Sequence, residues 1–509
     1  MRAKWLDCLI PFGTRIDMAK VSTQAIRNFA SVFIGTGAGA LNTLVVLPWA
    51  FSSSLADWGL VRVITAWALL FSPIALFGAS TTMVRFSPRF NSDDKARLAG
   101  LLTLPAIVLL ALFGLVLAAA PEQMSVFLGV KSSTNIWWLY ALTVLISVRG
   151  YLGGFLATRL KTSGFTFFRE SFVKLGYLII SLLFGWGTFN FQTFLIAYVG
   201  IYAASTAAVI LQAWANQISL KWRGFSSKTR REIMAYAGGI ILAGSASNIV
   251  LQIDVLMVGH MLGLEAVPVF TIALFIGAVV LMPAKSWEPV LRPIVAEAFT
   301  KGDVKELERI HSSTHHMLLL SSGWVLVCVM ASMPQIDALL PLKFQGLASI
   351  VLVSGLAKWV LSLGGGSRYI LAQSPQYRSV IWINWGMVVA VIPLNYWFMH
   401  PGGLDLGIFG AAAASLAVIC SAETVRQILL HRYLKIHTFT WRSILTSALL
   451  GVIGWGGWSV NPELSSWGTW APWIIIAAKS FLATAAIASA AWAFNLAPEL
   501  VAKYGRRKA

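Results

Sequence analysis

The sequence predicts an all-α integral membrane protein with about 14 transmembrane helices. The mean hydropathy is +0.74, and charged residues make up only 12% of the 509 residues, about half of the share in a soluble protein. Apolar runs of about 20 residues recur along the whole chain, and each is long enough to cross a hydrocarbon core of roughly 30 Å. Basic residues alternate between the gaps that separate these runs.

The predicted helices follow one another in chain order with short gaps between them. Each is a run of mainly Leu, Ile, Val, Phe, Ala and Trp that is too long for a strand. The fourteen runs are residues 28–50, 59–82, 99–119, 136–156, 170–188, 191–214, 235–258, 266–287, 315–333, 347–366, 378–398, 408–429, 441–459 and 472–495.

Lys and Arg occupy every second gap. The gaps on one side, including both chain ends, contain 30 of the 39 Lys and Arg residues, whereas those on the other side contain only Lys131 and Lys343. Because loops rich in Lys and Arg stay in the cytoplasm, both termini are predicted to be cytoplasmic and the number of spans to be even. The net charge of +19 therefore reflects topology and attraction to lipid head groups. We expect membrane lipids as partners and no nucleic acid.

Three further features agree with this topology. Tryptophans such as Trp49, Trp58 and Trp137 cluster at the predicted outer ends, as in an interfacial belt. Residues 1–27 lack a long apolar core and a small-residue cleavage site, so they are predicted to remain as a cytoplasmic segment. The cysteines show no metal-ligand spacing, and neither a disulfide nor a metal site is expected from Cys8, Cys328 and Cys420.

The chain contains two copies of one plan. Residues 38–99 and 243–310 align at an offset of about 206 to 209, and a late proline of the second span, Pro73 or Pro283, precedes a polar cytoplasmic loop in each copy. Two copies with an even number of spans have the same orientation, and such halves typically enclose a cavity. The predicted organisation is a cytoplasmic N-terminal segment 1–27, a first six-helix lobe 28–216, a basic cytoplasmic linker 217–234, a second six-helix lobe 235–432, two additional helices in 433–496 and a basic cytoplasmic tail 497–509, with the two lobes around a central cavity.

Both copies carry motifs that resemble one known family. The first copy contains the turn Leu55-Ala-Asp-Trp-Gly59 and the span end Gly78-Ala-Ser-Thr-Thr-Met-Val-Arg-Phe86, and the second begins Asn248-Ile-Val-Leu-Gln-Ile-Asp254. These segments resemble bacterial polysaccharide flippases, the O-antigen and exopolysaccharide exporters of the multidrug/oligosaccharidyl-lipid/polysaccharide superfamily. The resemblance covers nearly the whole chain. It departs from the family at Pro268, where glycine is usual.

The resemblance implies a function, a substrate and a location. It implies a flippase of the bacterial inner membrane that moves a polyprenyl-diphosphate-linked oligosaccharide by alternating access. It further implies a protein that is not an enzyme, that needs no cofactor beyond a coupled Na⁺ or H⁺, and that works with other proteins of polysaccharide assembly.

Cations within the spans are candidate binding groups, because an ionisable side chain in lipid is costly. Seven lie outside the loops: Arg62, Arg149, Lys174, Lys285, Lys358, Arg426 and Lys479. We predict that Arg149, Lys174, Lys358 and Arg62 contact an anionic head group. The structural alternatives are that Lys285 and Arg426 snorkel to the interface or pair with Glu288 and Glu423, and that Arg62 pairs with Asp57.

Asp254 is the candidate for ion coupling. It lies about one turn from the outer end of the seventh predicted span. A carboxylate at this position could bind Na⁺ or H⁺ and couple an ion gradient to transport, or it could pair with a structural partner.

Three other functions remain alternatives. A polytopic glycan polymerase or glycosyltransferase would carry catalytic groups on a large outer loop, whereas the longest outer gap here is about residues 120–135. A multidrug-type cation antiporter would favour carboxylates over the basic residues of these spans. A flippase for the peptidoglycan lipid precursor has the same architecture and an anionic cargo, and sequence separates it poorly from the polysaccharide exporters.

Overall fold

The computed structural model describes residues 18–222, 224–436, 441–460 and 471–493. Within these ranges all regular structure is helical and no strand occurs. Each of the fourteen apolar runs lies mainly on helical backbone in its described part, so the predicted all-α class is confirmed. Cys8, most of the N-terminal segment, Arg223 and the basic tail lie outside the described residues.

The first six helical segments contain ten α-helices and two π-helical stretches. Segment 1 combines α1, a π-helical stretch and α2, segment 2 combines α3 and α4, and segment 5 combines α8, a π-helical stretch and α9. The bounds are α1 Met18–Leu41, π-helical Asn42–Val46, α2 Leu47–Ala50, α3 Leu55–Ala75, α4 Ala79–Phe86, α5 Ser92–Ala119, α6 Pro121–Leu128, α7 Ser133–Thr158, α8 Thr162–Thr166, π-helical Phe167–Phe172, α9 Val173–Gly185 and α10 Phe191–Ala215.

The remaining segments, 7 to 14, follow after the basic linker. Segment 8 consists of α12 and α13, and segment 10 consists of α15 and α16. The bounds are α11 Ser227–Met261, α12 Ala266–Ala278, α13 Met282–Thr300, α14 Val304–Leu339, α15 Ala348–Leu363, α16 Gly365–Gln373, α17 Tyr377–Met399, α18 Gly407–Leu434, α19 Trp441–Ser459 and α20 Ala471–Ala493.

Ten helices in the described ranges are long and apolar enough to cross a membrane. Two bent pairs raise the number to twelve: Ser227–Ala246 with Asn248–Met261, and Ala348–Leu363 with Gly365–Gln373, each bent by 44°. The chain is therefore a multi-pass membrane protein, and the total of fourteen spans stays a prediction.

Local sequence explains where several helices begin. The side chains of Asn91, Asn190 and Asp303 accept hydrogen bonds from backbone N–H groups three residues further on, at 2.8, 2.8 and 3.0 Å. Such caps satisfy amide groups that have no intrahelical carbonyl partner. They fix the starts of α5, α10 and α14 next to short loops.

The helices pack in two groups that correspond to the two sequence copies. In the first group, α7 packs on α3 and α10, and α9 packs on α10 and α1. In the second group, α18 packs on α15 and α17, and α15 packs on α12 and α14. The two groups meet where α3 contacts α11 and α12. Helices α19 and α20 pack on α14, outside this seam. The predicted domain boundaries themselves remain a prediction.

One predicted interfacial tryptophan has a different role. Trp58 is only 2% exposed, and its ring lies 5.8 Å from that of Phe344, between centroids. A large aromatic ring stabilises an interface mainly by burial. Trp58 is therefore a core residue that joins the two groups, in contrast to Trp49 and Trp137, which are 45% and 47% exposed.

Candidate functional site

The two helix groups are sealed against each other at their outer ends, the ends opposite to the basic loops. A Cβ atom at Gly59 would lie 1.9 Å from the carbonyl oxygen of Leu264, so the two backbones touch there. The Lys343 ammonium donates a hydrogen bond of 2.7 Å to the Ser52 carbonyl across the same seam. Only glycine permits the backbone approach at position 59.

Gly59→Val should break this seal, because the added side chain collides with backbone rather than with a movable side chain. Overpacking of this kind costs about 1–3 kcal/mol or more, and separation of the outer ends relieves it. We expect a short bifunctional thiol reagent to crosslink Ser52→Cys to Lys343→Cys in the wild-type background and about tenfold less in Gly59→Val.

Gly200→Val is the matched control, because a Cβ atom there meets nothing within 4 Å. Equal crosslinking in the Gly59 and Gly200 variants would contradict the seal.

At the inner ends the two groups are joined mainly by the first half of α11. Glu232 of α11 forms an ion pair with Arg89 at 3.1 Å. The ring of Tyr236 packs on the ring of Phe86, with centroids 5.6 Å apart. The inner half of segment 1, α1, packs on α9, whereas the inner half of segment 8, α13, packs on α14 and α16. Segments 1 and 8 thus follow their own groups at the inner end.

Arg62 lies at the seam between the two groups. Its guanidinium donates a 3.5 Å hydrogen bond to Gln252 of α11. Arg62 and Asp57 form no ion pair in the described part of the chain. Residues five apart lie on different faces of a helix, so the two side chains do not face each other. Three tyrosines of the first group lie within electrostatic range of the guanidinium: Tyr177, Tyr198 and Tyr202.

Arg149 lies inside the first group and is 7% exposed. It donates a 3.0 Å hydrogen bond to the Ser205 hydroxyl and lies 5.2 Å from the centroid of the Tyr202 ring. Ser205 in turn donates to the Phe168 carbonyl in the second π-helical stretch, at 2.8 Å. Arg149 and Arg62 are therefore linked through the same tyrosine cluster.

Lys174 is an ion-paired residue. Its ammonium lies 3.1 Å from a carboxylate oxygen of Glu170, which also binds Arg169 at 3.2 Å. The side chain of Lys174 is 38% exposed, and it lies beside α1, 3.5 Å from the place of a Cβ atom at Gly39. Glu170 offsets part of the positive charge that the sequence predicts here.

Asp254 joins three helices of the second group. It is 7% exposed, and it accepts a 2.8 Å hydrogen bond from the Asn395 side-chain amide on α17 and another from the Ser415 hydroxyl on α18. The Oδ1 atom of Asn395 is buried with no partner among the described residues. A carboxylate, an amide oxygen and a hydroxyl form an oxygen-rich site of the type that binds hard cations.

Lys358 lies close to this carboxylate. The Lys358 ammonium on α15 is within electrostatic range of both Asp254 and Lys285. Lys358 therefore has one acid and one further lysine within electrostatic range, so this part of the second group carries a surplus of positive charge. Lys358, Lys285 and Asp254 come from three different segments, so no local sequence motif unites them.

A second buried charged cluster lies elsewhere in the second group. Arg426 is 3% exposed, pairs with Glu423 at 2.5 Å and donates to the Asn384 side chain at 3.0 Å. Arg368 approaches the same Glu423 oxygen at 3.7 Å. The prediction that Arg426 snorkels is thus wrong, and its pairing with Glu423 is confirmed. The spacing Glu423-x-x-Arg426, which puts both side chains on one helix face, is the sequence signal for this pair.

The remaining span charges have local partners or are exposed. Lys479 is 7% exposed and donates to the Ala331 carbonyl at 2.9 Å, so it ties α20 to α14. Glu288 pairs with Arg292, the residue one turn further on. Lys285 is exposed.

Comparison with known proteins places this architecture among transporters. The sequence model of the polysaccharide biosynthesis protein family matches residues 25–294. Sequence comparison with curated proteins gives no match. The fold is similar to that of the lipid II flippase MurJ in its inward closed conformation, with a TM-score of 0.66 at 12% identity over 91% of this chain and 98% of that chain.

Two multidrug resistance MATE family transporter structures of the MOP superfamily are also similar. The inward-facing conformation gives a TM-score of 0.63 at 14% identity over 81% of this chain and 98% of that chain. The outward-facing conformation gives a TM-score of 0.55 at 16% identity over 81% of this chain and 95% of that chain. Because the family match extends over more than half of the residues, the chain belongs to the polysaccharide biosynthesis protein family, and it has the fold of MOP superfamily transporters.

Proposed function

We propose that this protein is a flippase for a polyprenyl-diphosphate-linked oligosaccharide in the bacterial inner membrane, with both termini in the cytoplasm. The sugar and the diphosphate would cross between the two helix groups while the polyprenyl tail stays in the bilayer. The observation that supports this best is the surplus of cations at membrane depth. Arg62 and Arg149 belong to the first group, and Lys358 and Lys285 belong to the second.

The charges favour an anionic cargo for an electrostatic reason. In a low-dielectric environment, uncompensated cations repel one another and bind an anion strongly. Arg62 lies at the seam, so an anion that enters between the groups would meet its guanidinium and the neighbouring tyrosines. The tyrosines add hydroxyl donors and ring faces that suit sugar and phosphate groups.

The packing supports alternating access with the cavity facing the cytoplasm. The outer ends are sealed through Gly59 and Leu264, whereas α1 and α13 follow their own groups at the inner ends. Transport would then require the outer seal to open and the inner halves to close, as expected for two halves that rock against each other.

Asp254 is the proposed site for a coupling ion. Its carboxylate, the Oδ1 atom of Asn395 and the Ser415 hydroxyl could coordinate Na⁺, and the carboxylate could alternatively take up H⁺. Either cation would neutralise Asp254 and raise the positive potential at Lys358.

The peptidoglycan-precursor flippase is the second candidate. The similarity to the lipid II flippase MurJ over 91% of this chain favours it. Rescue of a strain depleted of its lipid II flippase would support this candidate, and failure of that rescue together with restored glycan export in an exporter deletion strain would support the first. The surplus of basic residues disfavours the multidrug-type cation antiporter.

The test is glycan export in a strain that lacks its polysaccharide flippase and expresses this chain. We expect Arg149→Ala and Lys358→Ala each to lower export about tenfold or more at normal protein level, because a hydrogen bond to a charged group contributes about 1.5–3 kcal/mol.

Lys301→Ala is the control, since Lys301 pairs with Glu297 on the surface and is 66% exposed. Wild-type export by both the Arg149→Ala and the Lys358→Ala variant would refute the assignment of these residues. No export by the wild-type chain in strains with several different glycans would refute the proposed substrate class.

A further inference from the structure

A cavity of about 510 Å³ lies between α14 and α18 of the second helix group. Both helices pack on α15, which contributes Val360 and Leu363 to the lining. Helix α18 contributes one flank, from Cys420 to Arg432, and α14 contributes His315. We call this cavity the α14–α18 cleft. Its lining residues all belong to the second group, so the cleft is separate from the seam where α3 meets α11 and α12.

The cleft opens toward the surface of the molecule at membrane depth. Ile428 lines it from α18 and is 47% exposed, and the lining residues Thr424, His431 and Arg432 are exposed as well. The flank from residue 420 to residue 432 is roughly 18 Å long at 1.5 Å per residue. One leaflet of a hydrocarbon core of roughly 30 Å has about that thickness. A lipid chain can therefore lie along this flank of α18 within a single leaflet.

The lining changes from apolar to basic toward the inner end of α18. Val360, Leu363 and Ile428 supply apolar surface, whereas His431 and Arg432 come from the last turn of the helix. This end adjoins the basic gap of residues 430–442, which lies in the cytoplasmic leaflet in the proposed orientation. The cleft thus combines an apolar groove with a basic mouth.

The charges around the cleft leave it positive. Glu423 is the one acid among its lining residues in the described part of the chain. Its carboxylate pairs with Arg426 at 2.5 Å and lies 3.7 Å from Arg368. Together with Arg432, three arginines therefore accompany one carboxylate. At membrane depth such an excess of positive charge attracts an anion more strongly than it would in water.

We propose that the α14–α18 cleft binds an anionic phospholipid of the cytoplasmic leaflet. Arg432 and His431 would hold the phosphate of the head group, and one acyl chain would lie along Val360, Leu363 and Ile428. Basic pockets between membrane helices on the cytoplasmic side recognise anionic head groups in this way. A zwitterionic lipid of the same chain length offers the same apolar contacts but carries its own cation, so it would bind more weakly.

The position of the cleft gives such a lipid a structural role. Leu363, which lines the cleft, also packs against the apolar cluster that contains Leu319 of α14, Leu450 of α19 and Ile487 of α20. The cleft therefore lies beside the attachment of the two C-terminal helices. A bound lipid would extend the contact between these helices and the second group, whatever cargo the protein transports.

The test is lipid titration of the purified full-length protein in detergent, with bound molecules counted by native mass spectrometry. The probes are phosphatidylglycerol, phosphatidylcholine with the same acyl chains, and inorganic phosphate. We expect the first phosphatidylglycerol to bind about tenfold or more tightly than phosphatidylcholine, because a hydrogen bond to a charged group distinguishes them. Inorganic phosphate at the same concentration should not displace it.

Two variants test the basic mouth and the groove separately. Arg432→Gln removes the exposed charge and should weaken phosphatidylglycerol binding about tenfold. Thr424→Trp keeps every charge but places an indole ring at the cleft, so it should weaken phosphatidylglycerol and phosphatidylcholine binding alike.

Each variant has a matched control on the same helix pair. Arg378→Gln removes an exposed arginine from the first turn of α17, at the same inner end. Ser421→Trp adds an indole ring on the other flank of α18, where Ser421 faces the groove with α17. Both controls should bind the first phosphatidylglycerol like the wild type.

Contrary results are clear for each part of the proposal. Equal phosphatidylglycerol affinities in the wild type and Arg432→Gln, or in the wild type and Thr424→Trp, would overturn the cleft as the site. Equal affinities for phosphatidylglycerol and phosphatidylcholine would overturn its preference for an anionic lipid, and displacement by inorganic phosphate would overturn its assignment to a lipid. Glycan export tests the proposed function independently, because the cleft lies outside the seam between the helix groups.

Discussion

Asp254→Asn should lower glycan export about tenfold or more without loss of protein from the membrane. The replacement has the same shape, so it can keep contacts with Asn395 and Ser415, but it lacks the charge that would hold a coupling cation. Without that charge, Lys358 loses its acidic neighbour and keeps Lys285 within electrostatic range. The substrate cavity then stays positive whether or not the cation is present, and the ion gradient no longer changes its affinity for an anion.

Two measurements check this result. Export in the deletion strain reports on transport, and the thermal midpoint of the purified protein, measured with and without Na⁺ and at lowered pH, reports on ion binding. A ligand that binds the folded state stabilises it by RT ln(1 + [L]/Kd), so the wild type should respond to one of the two cations and Asp254→Asn to neither. Asp405→Asn is the control, since Asp405 is an exposed loop residue. Normal export by Asp254→Asn, or an unchanged cation response, would remove Asp254 from the coupling site.

Hydropathy and the basic loops were sufficient to predict the helices. Spans are determined by the thickness of the bilayer, so an apolar run of sufficient length predicts a helix wherever it occurs. The interruptions of these helices have weaker signals. Pro73 is visible in the sequence, but the break comes at Phe77 and Gly78, where the chain takes positive φ angles to bring the break against Ala237. Only the contact with another helix explains that conformation.

The candidate sites could be predicted only residue by residue. The sequence identifies Asp254 as a charged residue in a span, but its partner Ser415 lies 161 residues away. Residues so far apart meet only after the helices pack. The same reason explains the error at Arg426. A position near the end of a span suggested snorkelling, whereas packing against Asn384 and Glu423 buries the guanidinium.

Glu423→Ala should cause the largest loss of stability among single substitutions in the second helix group. The change leaves the Arg426 guanidinium, 3% exposed, without its counter-charge, and Arg368 remains nearby. Breaking a buried ion pair by removing one partner costs about 3–5 kcal/mol, whereas replacing both partners by apolar residues of similar volume is often neutral. Glu423→Leu combined with Arg426→Met should therefore recover most of the loss.

The midpoint of thermal unfolding in detergent measures both effects. Glu297→Ala provides the matched control. Glu297 pairs with Lys301, four positions away, at 2.6 Å, but both side chains are exposed. Its loss should therefore lower the free energy of unfolding by less than about 1 kcal/mol. We therefore expect the unfolding midpoint of Glu423→Ala to lie well below that of the double variant, and the midpoint of Glu297→Ala to lie close to that of the wild type. A Glu423→Ala protein that unfolds at the wild-type midpoint would show that the guanidinium finds water or another acceptor. In that case the cluster would not fix α18 against α17, and segments 11 and 12 would be held together by apolar packing and by the contacts of Asp254 with Asn395 and Ser415.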